Sequence, residues 1–186
     1  MKELSLHILD IAENSVNAGA GNISITIEEN KLKNLLTIVI EDDGKGMNAE
    51  MVARVTDPFT TSRTTRKVGL GIPFLKAAAE ACNGKLEIRS AVGKGTRVET
   101  TFQLDHIDRM PMGNIQSTFL DLLVGYPDTH WIFNYTIDQN TYTLDSEPLR
   151  KILQEIPYSD PGVLKYLKHE INSGMLNLEL TKQEIP

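Results

Sequence analysis

Two consecutive segments most narrow what this chain can become. NISITIE (residues 22–28) alternates Ile23, Ile25 and Ile27 with polar residues, the two-residue period of a half-buried strand. After a turn around Asn30–Asn34, LLTIVIED (35–42) is more continuously apolar and suits the middle of a sheet. That inner strand then breaks abruptly on DDGKGM.

The flanking segments supply a helix layer. Residues 4–18 read as a helix, with Leu9, Ala12 and Val16 in one apolar row and Ile8 and Ile11 beside it. Asp10, Asn14 and Asn17 share a second face, and Gly19 and Gly21 stop the helix. NAEMVARV is a short helix, and 57–68 (DPFTTSRTTRKV) a polar, basic loop. GLG opens a further helix with Pro73 in its first turn and Asn83-Gly84 at its end. KLEIRS, AVGKG and TRVETTFQL form a hairpin. This order predicts an α+β fold: a two-layer α/β sandwich with helices over one face of a mixed, mostly antiparallel sheet.

After Leu104 the character shifts. Residues 1–104 hold thirteen acidic and thirteen basic residues, whereas 105–186 hold twelve acidic and six basic. DHIDRMPMGN reads as a linker. A helix over 115–124, a hairpin around Gln139-Asn140 and helices over 146–155 and 160–173 follow. We therefore expect a domain at 1–104 and a small acidic α+β C-terminal subdomain at 105–186, the latter without a catalytic motif. Trp131, Phe133 and Tyr135 alternate as core or sheet-face residues. Neither part shows the clustered Lys and Arg of a nucleic-acid or anionic-membrane surface. A lone Cys82 precludes an intrachain disulfide. The N-terminus is too short and polar for a signal peptide or span, so a cytoplasmic location is the default.

Four short motifs bear on chemistry, each with a plain structural reading as well. Asp10 and Asn14 lie one turn apart; the amide oxygen suits Mg²⁺, and the carboxylate suits orienting or deprotonating a nucleophile. A solvated helix face is the alternative. In Asp42-x-Gly44-x-Gly46 the carboxylate can accept from an exocyclic amine, and the glycines let a flat base lie against backbone; an acidic turn explains the same residues. Gly69-Leu70-Gly71 at a helix start can offer N–H groups to phosphate, with Arg63, Arg66 and Lys67 just upstream; a basic connector is the plainer view. Gly93-x-Gly95-Thr96 carries a hydroxyl able to read a base edge, or forms a routine hairpin turn.

Together, in this order and spacing, the four resemble the N, G1, G2 and G3 boxes of the Bergerat-fold (GHKL) ATP-binding family. That family spans gyrase-type topoisomerases, large heat-shock chaperones, histidine kinases and MutL mismatch-repair proteins. ENSVNAGA (13–20) looks most like the MutL first box, whereas DPFTTS (57–62) with GLGI is similar to histidine kinases. The resemblance covers about residues 4–104. It implies ATP and Mg²⁺ as cofactors, Asn14 as the metal ligand and Asp42 as the adenine acceptor. It also implies Gly44, Gly46 and Met47 at the base pocket, Gly69, Leu70 and Gly71 at the phosphates, and Thr96 beside the adenine. Asn17, Thr61 and Lys67 complete the nucleotide contacts, and Asp10 takes the catalytic position, one methylene shorter than the glutamate of hydrolysing members.

With nine residues before Asp10, we expect no preceding phosphoacceptor hairpin; His7 reads as a helix-surface or rim residue. Three readings follow. The favoured one is a stand-alone protein kinase acting on the histidine or serine of a separate protein. The others are an ATP-gated switch or slow ATPase, and a non-catalytic nucleotide-binding regulatory module. The oligomeric state stays open.

Overall fold

A computed structural model of the protein describes residues 3–56 and 71–181. The first helix, α1 (Leu4–Asn17), leads into the antiparallel pair β1 (Asn22–Asn30) and β2 (Leu35–Asp42). The short α2 (Ala49–Val55) precedes α3 (Gly71–Ala81), then β3 (Lys85–Ala91) and β4 (Gly95–Gln103). The rest is α4 (Ile115–Gly125), β5 (His130–Ile137), β6 (Asn140–Asp145), α5 (Ser146–Leu153) and α6 (Pro161–Thr181). The α+β sandwich expected from the element order is the fold observed.

The six-stranded sheet runs β3-β4-β2-β1-β5-β6. β2 lies well inside it, between β4 and β1, as its apolar run predicts. All pairs are antiparallel except β1–β5, which is parallel. Register stacks the core in rows: Ile25 lies opposite Ile40 and Phe133, and Ile40 opposite Val98. All four are buried. Onto this face α1 packs Ile8 and Ile11, α3 packs Leu75 and Ala79, α4 packs Phe119 and Leu122, and α6 packs Leu167 and Ile171. Phe119 stacks on Phe133 with ring centroids 4.3 Å apart. The alternate strand positions, such as Thr26, Thr37, Arg97, Asn134 and Thr143, point to the opposite face, where Arg97 bridges Glu41 and Glu99 at 2.8 and 2.9 Å.

The boundary expected at residue 104 is not a break in the sheet. β5 and β6 continue the sheet from β1, and one core runs from Leu4 to Leu178. The segment expected as a linker is also a cap. α1 has no side-chain cap; the N–H groups of Leu4 and Ser5 donate to the carbonyls of Pro111 and Met112 at 3.0 and 2.8 Å. The final helix runs past the expected end at 173. Gly174 does not stop it: the ring of Tyr142 packs so closely that a Cβ there would lie 2.2 Å from it. Beyond that glycine, Met175 and Leu178 extend the buried row of Leu167 and Ile171. Among the described residues no helix is long and apolar enough to cross a membrane.

Candidate nucleotide site

β2 ends at Asp42 on the helix-layer side of the sheet, and the glycine-rich turn after it folds back under α1. The Asp42 carboxylate is held at both oxygens. Ser15 Oγ donates to Oδ2 at 2.7 Å, and the Gly44 N–H donates to Oδ1 at 2.9 Å. Lys45 N–H donates to Ala18 O at 3.0 Å, so the turn is stitched to the end of α1.

Two glycines make this packing possible. Gly46 has φ +63°, and a Cβ on it would sit 2.0 Å from the Ala91 carbonyl oxygen. Gly95 has φ +86°, and its Cβ would sit 1.8 Å from the Asp42 carbonyl oxygen. Only a residue without Cβ brings the β3–β4 hairpin this close to the β2 end. Gly44 is similarly confined: its Cβ would lie 3.1 Å from Ala18 Cβ. Thr96 pairs with Asp42 across the β2–β4 ladder, and its hydroxyl lies 2.9 Å from Ser90 Oγ. Ser90 Oγ also accepts the Met47 N–H at 2.8 Å. The turn residues Asp42, Gly44, Gly46 and Met47 are thus joined by Thr96, about fifty residues further along the chain, at one place.

The other half of the site is the polar face of α1. Ser15 ties this helix to Asp42, which sets its neighbour Asn14, exposed along with Asn17, beside the β2 end. One turn earlier, Asp10 faces the start of α3. A Cβ on Gly71 would lie 1.8 Å from Asp10 Oδ2, and that oxygen is buried with no hydrogen-bond partner among the described residues.

His7 corrects the expectation of a rim residue: it is 2% exposed. The N-terminus of α3 closes over that face of α1. Burial pushes the His7 imidazole below the usual histidine pKa, partly opposed by a hydrogen bond with the Gly71 backbone. Its Nδ1, like Asp10 Oδ2, has no partner among the described residues. Thr61, Lys67, Gly69 and Leu70 lie outside the described residues, as do Arg63 and Arg66.

Sequence reasoning missed Ser15 and Ser90. A hydroxyl at a buried helix position signals an inward hydrogen bond, which Ser15 makes to Asp42. Ser90 had no such cue, because its role depends on a turn from another part of the chain.

A glycine-lined turn, a braced strand-end carboxylate and a carboxylate-amide helix face over a two-layer sandwich define a nucleotide-binding domain. Residues 2–106 match the family described as "Histidine kinase-, DNA gyrase B-, and HSP90-like ATPase". The match takes in more than half of the chain, and the chain belongs to that family.

Among curated relatives, a putative sensor protein of Shewanella frigidimarina is 29% identical over 58% of this chain and 17% of its own length. The non-motile and phage-resistance protein of Caulobacter vibrioides is 29% identical over 59% of this chain and 14% of its own. The sensor protein kinase WalK of Staphylococcus haemolyticus is 33% identical over 48% and 16%. The chain therefore spans only about a sixth of the length of these relatives.

Among solved structures, the N-terminal domain of a DNA repair protein superposes with a TM-score of 0.56 at 13% identity, covering 78% of this chain and 53% of that one. The Aquifex aeolicus MutL ATPase domain complexed with ADP superposes with a TM-score of 0.50 at 14% identity, covering 83% and 70%. At such identity the likeness is one of fold. Its coverage exceeds what residues 1–106 alone can supply, so part of the C-terminal region shares it.

Proposed function

We propose that the chain binds ATP with Mg²⁺ and transfers the γ-phosphoryl group to a separate protein in the cytoplasm. The observation that carries this reading is Asp10 Oδ2: a carboxylate oxygen, buried without a partner among the described residues, at the N-terminal end of α3 and on the face shared with Asn14.

The residues present fit the nucleotide. Asp42 keeps lone pairs free on both oxygens beyond the Ser15 and Gly44 bonds, so it can accept from the adenine amine while its position is already set. Gly44 and Gly46 let the turn pack tightly against Ala18 and the β3–β4 hairpin, which fixes Asp42 beside Met47 and Thr96 where the base would lie. Asn14 offers an amide oxygen to the metal, which when bound neutralises charge on the phosphates. Gly71 opens α3, whose N-terminal end favours phosphate, and the family resemblance adds Asn17, Thr61, Lys67, Gly69 and Leu70 there. Asp10 then orients the acceptor's nucleophile and takes its proton. Transfer to a protein, rather than to water, is supported by the relatives named as sensor kinases.

The test is incubation with γ-labelled ATP, alone and in a host-cell extract. Label on a second protein is the expected result. Free phosphate without labelled protein would favour a slow ATPase or ATP-gated switch, and neither product would leave a binding module.

A further inference from the structure

Beside Asp42, its neighbour Asp43 begins a chain of hydrogen bonds that leads away from the site. Asp43 Oδ1 accepts the N–H groups of Gly21 and Asn22 at 2.8 and 2.9 Å, and Oδ2 accepts Asn22 Nδ2 at 2.6 Å. The Asn22 side chain, then its backbone N–H, holds the Asp43 carboxyl below its usual pKa. Asn22 Oδ1 lies 2.9 Å from His130 Nδ1, and His130 Nε2 lies 2.9 Å from Asp145 Oδ1. Asp145 Oδ1 also accepts the Glu147 N–H at 2.8 Å, capping α5. The chain runs from the turn after β2, through the start of β1, to β5, β6 and α5.

The donors in this chain can be assigned. Turning the Asn22 amide over would set two acceptor oxygens 2.6 Å apart at Asp43, so its NH₂ faces the carboxylate and its oxygen faces His130. Both ring nitrogens of His130 therefore face acceptors. A neutral imidazole has one N–H and leaves one contact as lone pair against lone pair; the imidazolium has two N–H groups and satisfies both. Among the described residues, the charged groups near it include Asp145 on β6, Asp43 beyond Asn22 and, on α5, Arg150, which donates to the neighbouring Thr129 carbonyl at 3.1 Å, and Lys151, which acts on Asp145 and pairs with Glu147 at 3.3 Å.

We infer that His130, as the imidazolium, is a positioning residue for the nucleotide site, tying the β5–β6 hairpin through Asn22 and Asp43 to the turn that carries Asp42, Gly44 and Gly46. The inference rests on the nucleotide-binding reading above. His130 does not itself reach the base pocket. It orients Asn22, Asn22 orients Asp43, and Asp43 fastens the turn to the start of β1. A ring with a single N–H can satisfy only one of its two acceptors, so the tie from Asp145 through His130 to Asn22 is complete only with both ring nitrogens donating. This gives the C-terminal hairpin a part in nucleotide affinity.

The test is calorimetry of Mg-ATP binding to the whole chain at about pH 6 and about pH 8, the range across which histidine charge changes. The proteins compared are the wild type, His130→Gln and, as a control, the exposed His169→Gln. Comparing proteins at each pH cancels the titration of the nucleotide itself. His130→Gln should bind about three- to tenfold more weakly than wild type at the lower pH, the worth of one hydrogen bond, and close to wild type at the higher. His169→Gln should follow wild type throughout.

Asn22→Ala should weaken binding to the same degree, and the double variant should lose no more than either single one. Additive losses would overturn the inference. So would wild-type affinity of His130→Gln at both pH values, including the case in which only its melting temperature falls. Should His130→Gln not fold, Asn22→Ala carries the same comparison. A wild type that binds no ATP brings down the nucleotide reading and this inference together; a wild type that binds, with variants that bind equally, defeats the inference alone.

Discussion

The two ends of the site are built differently. At the turn end, each functional group has a partner: Asp42 is held by Ser15 and Gly44, Met47 N–H by Ser90, and Ser90 in turn by Thr96. At the helix end, Asp10 Oδ2 and His7 Nδ1 are buried against the start of α3 without partners among the described residues. The turn end is therefore preorganised, in the sense that its geometry does not depend on a ligand. Among the described residues, the helix end thus holds unspent hydrogen-bonding capacity, which favours any group that can donate to it.

The largest effect should come from breaking the turn end. Gly95→Ala adds a Cβ at a positive φ and against the Asp42 carbonyl. It should cost about 3 kcal/mol, from left-handed strain and overpacking combined, read by urea unfolding. A loss below about 1 kcal/mol would show that the turn yields and is not rigid.

At the helix end, Asp10→Asn should lower phosphoryl transfer by about a hundredfold or more, the usual scale for losing a general base. ATP affinity should change little, because Asp10 is assigned to the nucleophile rather than the nucleotide. Equal loss of binding and turnover in calorimetry and transfer assays would move Asp10 into the binding set.

Asp42→Asn should weaken ATP binding by about 1–3 kcal/mol and narrow the preference for adenine over guanine nucleotides, because a fixed acceptor becomes a mixed donor and acceptor. Competition binding measures this directly. An unchanged preference would remove Asp42 from base recognition.

The smallest effect concerns His7. Burial lowers its pKa in the folded state, so on acidification the unfolded chain takes up the proton first. Stability present at neutral pH should then be lost as pH falls below about 6.5, and His7→Gln should flatten that limb in thermal melts. Parallel curves for the two proteins would show that His7 charges without cost, and the contrast between the two ends would weaken.

How far the site could be read in advance follows the same division. The turn end was legible because glycine at a tight approach and a carboxylate at a strand end are local features. The helix end was legible only as a row, Asp10, Asn14 and Asn17. That His7 lies beneath α3 depends on Gly71, distant in sequence, and a polar helix face looks the same whether or not another helix covers it. The end of α6 was misread for a related reason. The helix continues through Gly174, where the Tyr142 ring lies against the bare Cα.

The amino-acid sequence by itself determined the first two strands, β1 through its two-residue period and β2 through its apolar run, together with the α1 helix, the turns that require glycine, and the order of the four boxes. These follow from sterics and side-chain alternation within a few residues. Tertiary structure alone decided that β5 pairs in parallel with β1, that the C-terminal hairpin shares the sheet and core, and that Asn22 meets His130. Such contacts depend on which buried faces meet once the chain collapses, and no short stretch of residues encodes that meeting.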